Sequence, residues 1–179
     1  MEFKQIEKTL TKYARYVIQQ ARSNLTKGKH NASKELYNSL RYELDKEKDA
    51  FLIEFLMEDY GKFQDKGVSG IKSSYMRSGK SIFDTNFRFG SGTGSKGGLT
   101  RGIDKWLKLK KFQFKDKKGR FMSYKSMRYI IVRSIYSKGL KQTLFFSNPF
   151  NKGLQKYGDE LLRAFALDIE NTLIFGEKN

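Results

Sequence analysis

Phe3, Ile6, Leu10, Tyr13 and Val17 recur at steps of three and four, the stripe of an amphipathic helix, with Lys4, Lys8, Lys12 and Arg15 off it. The period breaks over 24–31 (Asn-Leu-Thr-Lys-Gly-Lys-His-Asn), which predicts a loop. Leu40, Tyr42 and Leu44 then alternate with Arg41, Glu43 and Asp45. Phe51, Ile53, Phe55 and Met57 alternate in the same way with Leu52, Glu54 and Leu56. Period two predicts two strands, and the charged link Lys46-Glu47-Lys48-Asp49 joins them as a hairpin. The second strand is apolar on much of both faces, so it is expected to be central or packed in an interface.

From Gly61 to Gly98 periodicity is lost among glycines and serines, a stretch long enough to suggest function or ordering by a partner. It returns over 99–109 as a short helix with Ile103, Trp106 and Leu107 on one side. Lys111-Phe-Gln-Phe-Lys and Arg120-Phe-Met flank Asp116-Lys-Lys-Gly119, the pattern of a basic hairpin. A helix over 123–138 follows, buried through Met127, Ile130, Ile131 and Ile135 and stopped by Gly139. Lys125, Tyr129, Arg133 and Tyr136 face the other way. The short apolar segment Gln142-Thr-Leu-Phe-Phe closes at Asn148-Pro149. A last helix, 152–173, has Leu154, Tyr157, Leu161, Phe165, Ile169 and Leu173 in register.

These elements predict an α+β fold: a small curved antiparallel sheet flanked by N-terminal, middle and C-terminal helices, with a long Gly-rich loop insertion. A chain of 179 residues fits one domain, 1–179. Within it 1–59 is a helix plus hairpin, 60–98 an extended Gly-rich assembly loop, 99–141 a basic helix–hairpin–helix segment and 142–179 the C-terminal helix.

Composition changes the picture at one point. The formal net charge is +17, and residues 60–141 hold 21 Lys and Arg against four Asp, while the flanks together hold 15 of each sign. A field of that size attracts polyanions, so the middle of the chain is expected to meet something rich in phosphate or carboxylate. There is no Cys, and His30 is the one histidine, which leaves no usual metal ligand set and no expected cofactor. No apolar run approaches the ~20 residues of a membrane span, and Met-Glu-Phe-Lys-Gln is no signal sequence. An intracellular soluble chain, or one that leaves the cell by a route other than secretion, is expected, with no membrane partner.

Catalytic patterns fail on inspection. Ser78-Gly79-Lys80-Ser81 ends like a phosphate-binding loop, but Ser74 stands where its first glycine belongs. Gly92, Gly94 and Gly97 satisfy G-x-G-x-x-G without a buried strand before them. A Ser–His–Asp site would need His30, which has no local context for it. Asp65, Asp84, Asp104 and Asp116 are too scattered to gather metal for a nuclease. No enzyme is expected. The basic–aromatic interleaving is more specific: Lys108, Lys110, Lys111, Lys115, Lys117, Lys118 and Arg120 surround Phe112, Phe114 and Phe121. Cations with stacking platforms are what single-strand binders combine. Lys125 and Arg133 extend the candidate polyanion contact onto the next helix.

The order of several short motifs resembles the tail-completion or neck family of tailed bacteriophages, the small head–tail joining proteins. Ser33-Lys-Glu-Leu-Tyr-Asn-Ser-Leu is similar to that family's lead-in to the first strand. Asp59-Tyr60-Gly61-Lys-Phe63-Gln-Asp65-Lys-Gly67-Val-Ser is similar to its Tyr-Ala/Gly-x-aromatic-x-acidic-x-Gly box. The stretch from Ile130 through Lys138-Gly139 to Phe145-Phe146-Ser-Asn-Pro149-Phe150 resembles its ending. The long insertion between Gly67 and Gly98 and the basic hairpin depart from that pattern. The resemblance implies a virion structural protein of the neck, assembled in the host cytoplasm as a homo-oligomeric ring of about twelve copies. The ring would touch portal, adaptor and tail proteins and surround genomic DNA without reading its sequence. Phe51, Ile53, Phe55, Tyr60, Phe63, Phe87 and Phe89 are the candidate subunit-interface residues. The alternative is a free basic nucleic-acid-binding module using the 108–121 hairpin with Lys125, Arg128 and Arg133; a nuclease comes third.

Overall fold

The computed structural model describes residues 3–30, 33–46, 50–72, 86–91, 97–111 and 113–176. The fold is α+β. Where one domain is expected, the chain divides into two compact units: 1–30, 36–58 and 145–179 form one, 31–35 and 59–144 the other. The division follows the charge. The first unit carries 14 basic and 13 acidic residues, a net +1, and the second 22 and 6, a net +16.

In the neutral unit, α1 (Lys4–Lys27) buries Tyr13, Ala14, Val17, Ile18, Ala21 and Leu25. It runs through the first half of the expected loop because Leu25 falls on that same face. Gly28 then donates its N–H to the Asn24 carbonyl at 2.8 Å. After α2 (Glu35–Ser39), β1 (Arg41–Lys46) pairs antiparallel with β2 (Phe51–Leu56), with Tyr42 opposite Phe55 and Leu44 opposite Ile53. Arg41, Glu43 and Asp45 point to water, as alternation requires. The sheet has two strands, so β2 is not central. Its inward Phe55 instead joins Tyr13, Phe146 and Phe150 at ring separations of 5.4–6.1 Å. Leu25, Leu36, Leu40 and Phe145 are almost wholly buried beside them, each stabilising the unit by roughly 1.5–3 kcal/mol.

Helix α6 (Ser147–Gly176) starts five residues before the expected boundary, since Pro149 in a first turn forfeits no hydrogen bond. It runs antiparallel to α1: Tyr13 meets Tyr157 at 6.4 Å, Lys12 bridges Glu160 at 2.7 Å, and Gln5 meets Asp168. The face it buries carries Pro149, Gly153, Ala164 and Asp168, with Tyr157 and Leu161 of the expected stripe half-buried among them. A β-carbon on Gly153 would stand 2.7 Å from the Tyr13 ring, so its lack of a side chain lets the helices close. Leu154, Phe165, Ile169 and Leu173 of the expected stripe lie on an adjacent, exposed face.

In the basic unit the irregular stretch begins later than expected, because Tyr60–Lys66 forms helix α3. Gly67 (φ +77°) turns the chain into β3 (Val68–Ser69). β3 pairs with β4 (Gly139–Leu140), Val68 against Leu140 and Ser69 against Gly139. On its other side Ser69 donates to the Phe87 carbonyl and accepts from the Phe89 N–H, at 2.8 and 2.9 Å. So the sheet is divided: a two-stranded antiparallel pair in each unit replaces the single curved one. Residues 73–85 and 92–96 of the Gly-rich insertion, with Asp84 and the phosphate-loop lookalikes, lie largely outside the described residues.

Helices α4 (Gly98–Lys110) and α5 (Tyr124–Lys138) complete the unit, packed through Leu107 and Met127. Ser123 caps α5 by accepting the Ser126 N–H at 3.1 Å. Ile131 and Ile135 are half-buried as expected, but Ile130 turns outward.

Candidate polyanion-binding surface

The surface is built from the end of α4, the turn after it and the start of α5. Lys108 and Lys110 occupy the last turn of α4, where cations complement the helix dipole. Lys111 leaves it in the left-handed conformation (φ +51°) while its N–H bonds the Leu107 carbonyl at 3.0 Å. The chain then doubles back as expected. Lys115 bridges Phe121, and the Asp116 N–H and Arg120 carbonyl pair at 2.8 Å. The Asp116 carboxylate stitches the turn from inside: it accepts the Lys118 N–H at 2.8 Å, the Arg120 N–H at 2.9 Å and the Arg120 Nε at 3.1 Å. Those bonds, the Arg120 N–H first, hold its carboxyl below the ordinary aspartate range.

Asp116 also holds the Arg120 guanidinium, with Nη2 at 3.1 Å, so Lys115, Lys117 and Lys118 are the side chains of the turn that present their charges to solvent. Lys115 also places its ammonium 5.2 Å from the Phe121 ring centroid. Phe121 is 67% exposed and Phe114 stands out beside it, so the hairpin does not spend its aromatic side on a core. Phe112 lies outside the described residues. Lys125 and Arg133 are exposed on α5, with Arg133 Nη1 3.5 Å from the Tyr129 hydroxyl. Tyr129 is 63% exposed, and Tyr124 and Tyr136 flank it. The helical period already turns Tyr129 and Tyr136 outward but does not by itself assign them to the basic surface. Their spacing of seven, on the same helical face as Lys125 and Arg133, was the available signal.

Asp104 ties the two helices. It holds Lys108 at 2.9 Å and Arg128 at 3.2 Å, and Lys108 foremost draws its carboxyl below the usual range. Arg128 is thereby committed to the helix pair and is half-buried, unlike Lys125 and Arg133. Glu35 is likewise engaged by Lys105, which lowers its carboxyl. Asp65 is buried in α3. The acids at 35, 65, 104 and 116 are thus either buried or already paired, and they do little to offset the lysines.

The candidate interface residues fall in two sets. Phe51 meets Phe3 edge-on at 6.0 Å, and Ile53 and Phe55 are half-buried on the inner face of β2, so these three serve the neutral unit's own packing. In the basic unit Phe63 packs on Phe87 at 4.7 Å and Phe89 on Tyr136 at 5.7 Å, while Tyr60 and Phe63 remain exposed. Two of the motif stretches converge here. Gln64 and Asp65 accept the Thr143 N–H, Asp65 accepts the Leu144 N–H, and Gly67 abuts the Leu140 carbonyl.

Among the described residues no three His, Asp or Glu side chains gather as metal ligands would, and no helix is long and apolar enough to cross a membrane. No family model, curated protein or solved structure matches this chain.

Proposed function

We propose that this chain is a non-enzymatic structural protein of a phage neck, a ring subunit whose basic unit faces the DNA channel. The observation that carries the reading is the partition of charge: +16 on one compact unit and +1 on the other. A ring around a polyanion needs both. Its inner part must be cationic and indifferent to base sequence, and its remainder must pack against like copies without repulsion. Exposed lysines on a short hairpin meet phosphates as point charges, which positions DNA without reading it. The convergence of the Tyr60–Ser69 and Gly139–Leu144 stretches supports the family resemblance on which the ring itself rests. Portal, adaptor and tail proteins are the proposed neighbours above and below.

The test is copy number by mass spectrometry in purified, nuclease-treated particles of the phage that encodes the chain. A fixed value of about a dozen, as a closed cyclic ring requires, is expected; absence from the particle removes the reading. Charge reversal at Lys110, Lys111, Lys117 and Lys118 should then impair genome retention with the fold intact. DNA-filled particles at the normal yield from that variant would argue against a lumenal role.

A second reading is favoured by the exposed rings of Phe121, Tyr129 and Tyr136 among the lysines: a free module that binds single-stranded nucleic acid. It requires tight binding to naked single strands, with log affinity falling steeply against log salt. The ring reading requires only weak binding by the isolated chain.

A further inference from the structure

Helix α6 is amphipathic twice over. One face packs on α1 through Gly153, Ala164 and Asp168. Beside it, Leu154, Gly158, Leu162, Phe165, Ile169 and Leu173 recur at steps of four, four, three, four and four. The five large residues of this row stay exposed, Leu162 at 71% and Leu173 at 67%, with one edge touched by Phe3, whose ring stacks on Phe165 at 6.3 Å. The row extends about 28 Å at 1.5 Å per residue, and no charged residue falls within it. Contiguous apolar surface of this kind marks an interaction site.

Two observations select the occupant. The first is electrostatic: copies meeting through the basic unit bring +16 against +16, whereas copies meeting through α6 belong to units of +1. The second is register. When two α6 helices lie antiparallel with a two-fold axis between Arg163 and Ala164, Leu154 faces Leu173, Leu162 faces Phe165 and Gly158 faces Ile169. Each member of the row meets another member. A β-carbon on Gly158 would find nothing within 4 Å, which leaves a notch for the Ile169 side chain of the second copy. The geometry points to a second copy of this chain as what covers α6, docked as an antiparallel two-fold pair. Such a contact is isologous, so it is separate from the head-to-tail contacts of a ring. It does not depend on what the basic unit binds.

The chain has no Cys, so introduced thiols report without background. The full-length protein should sediment as a dimer at about 10 µM. On oxidation the Leu154→Cys/Leu173→Cys double variant should give a disulfide-linked dimer. The Leu154→Cys variant alone should not, since its two thiols would lie about 28 Å apart. Mixing the two single variants should restore the cross-link. The double variant Leu162→Glu/Leu173→Glu, at the two most exposed members of the row, should raise the dimer Kd at least about 100-fold, and its thermal transition should match that of the wild-type protein measured as a monomer by dilution. A wild-type protein that stays monomeric up to about 100 µM overturns the inference. So does cross-linking of Leu154→Cys alone, which would mean parallel helices. Loss of the monomer's own stability in the glutamate variant would mean that the row is covered within the chain, and overturns it too.

Discussion

Asp168 does for α1 what a serine or asparagine cap ordinarily does from the preceding residue. Phe3 stands at the cap position and offers no side-chain bond. The Asp168 carboxylate, buried on α6, accepts the Gln5 N–H at 2.9 Å and the Ile6 N–H at 2.9 Å. A carboxylate at a helix N-terminus also meets the positive end of the macrodipole. Asp168→Ala should therefore destabilise the protein by about 2 kcal/mol, leaving two N–H groups without their acceptor. Urea denaturation checks this, with exposed Asp159→Ala expected near zero. Tyr13 supplies a pH signature. Burial pushes its hydroxyl from 10.0 up to about 12. A group raised on folding contributes stability that is full below its unfolded value and declines as pH rises through the window from 10 to about 12. Thermal melts across that range should show the decline, and Tyr13→Phe should flatten it. Neither role was legible in the sequence. An acid in the middle of a late helix carries no sign that it will meet the start of the first one.

Among the elements, the sequence patterns foretold α1, the β1–β2 hairpin, α4 and α5, each within a few residues. Their periodicities are strong because each buries one face locally. For α6 the pattern gives the helix but only part of its buried face. Of the large residues that the pattern predicts as the buried stripe, Tyr157 and Leu161 do face α1, but close packing of two long helices favours Gly153 and Ala164, and Leu154, Phe165, Ile169 and Leu173 are left outside. Helix α3 was missed because seven residues, Tyr60–Lys66, are too few to display a period. The glycine after it is decisive for the element that follows. At Gly67 the backbone has φ +77° and a β-carbon would lie 2.6 Å from the Leu140 carbonyl oxygen. Gly67→Ala should cost more than about 1 kcal/mol. Hydrogen exchange should locate the loss at Val68, Ser69, Gly139 and Leu140. Loss spread evenly over α4 and α5 instead would contradict that assignment.

For the whole molecule, the charge map was legible before any coordinates: the basic segment of the sequence is nearly the basic unit of the fold. What the sequence could not show is that three separate stretches, around 1–30, 36–58 and 145–179, assemble into the neutral one. Charge of this size should govern association between copies. Raising salt from 0.1 M to 1 M shortens the screening length from about 10 to about 3 Å and removes repulsion between basic units. Self-association should accordingly strengthen with salt, and a short polyanion should strengthen it further at low salt. Analytical ultracentrifugation at the two ionic strengths decides the point, since weakening with salt would mean that copies are held by ion pairs.

The same three-part build sets a timetable for synthesis. On the ribosome, the continuous stretch 59–144 emerges whole and can close upon itself, while α1 waits for a partner that is translated last. Until Asp168 has left the exit tunnel, the first turn of α1 lacks its acceptor and the hairpin lacks Phe146 and Phe150. Nascent chains truncated after residue 145 and tethered through an unstructured linker long enough to clear the exit tunnel should resist protease within α4 and α5 yet be cut within α1. The basic half would thus be finished first, and would carry its +16 alone until the near-neutral half is complete.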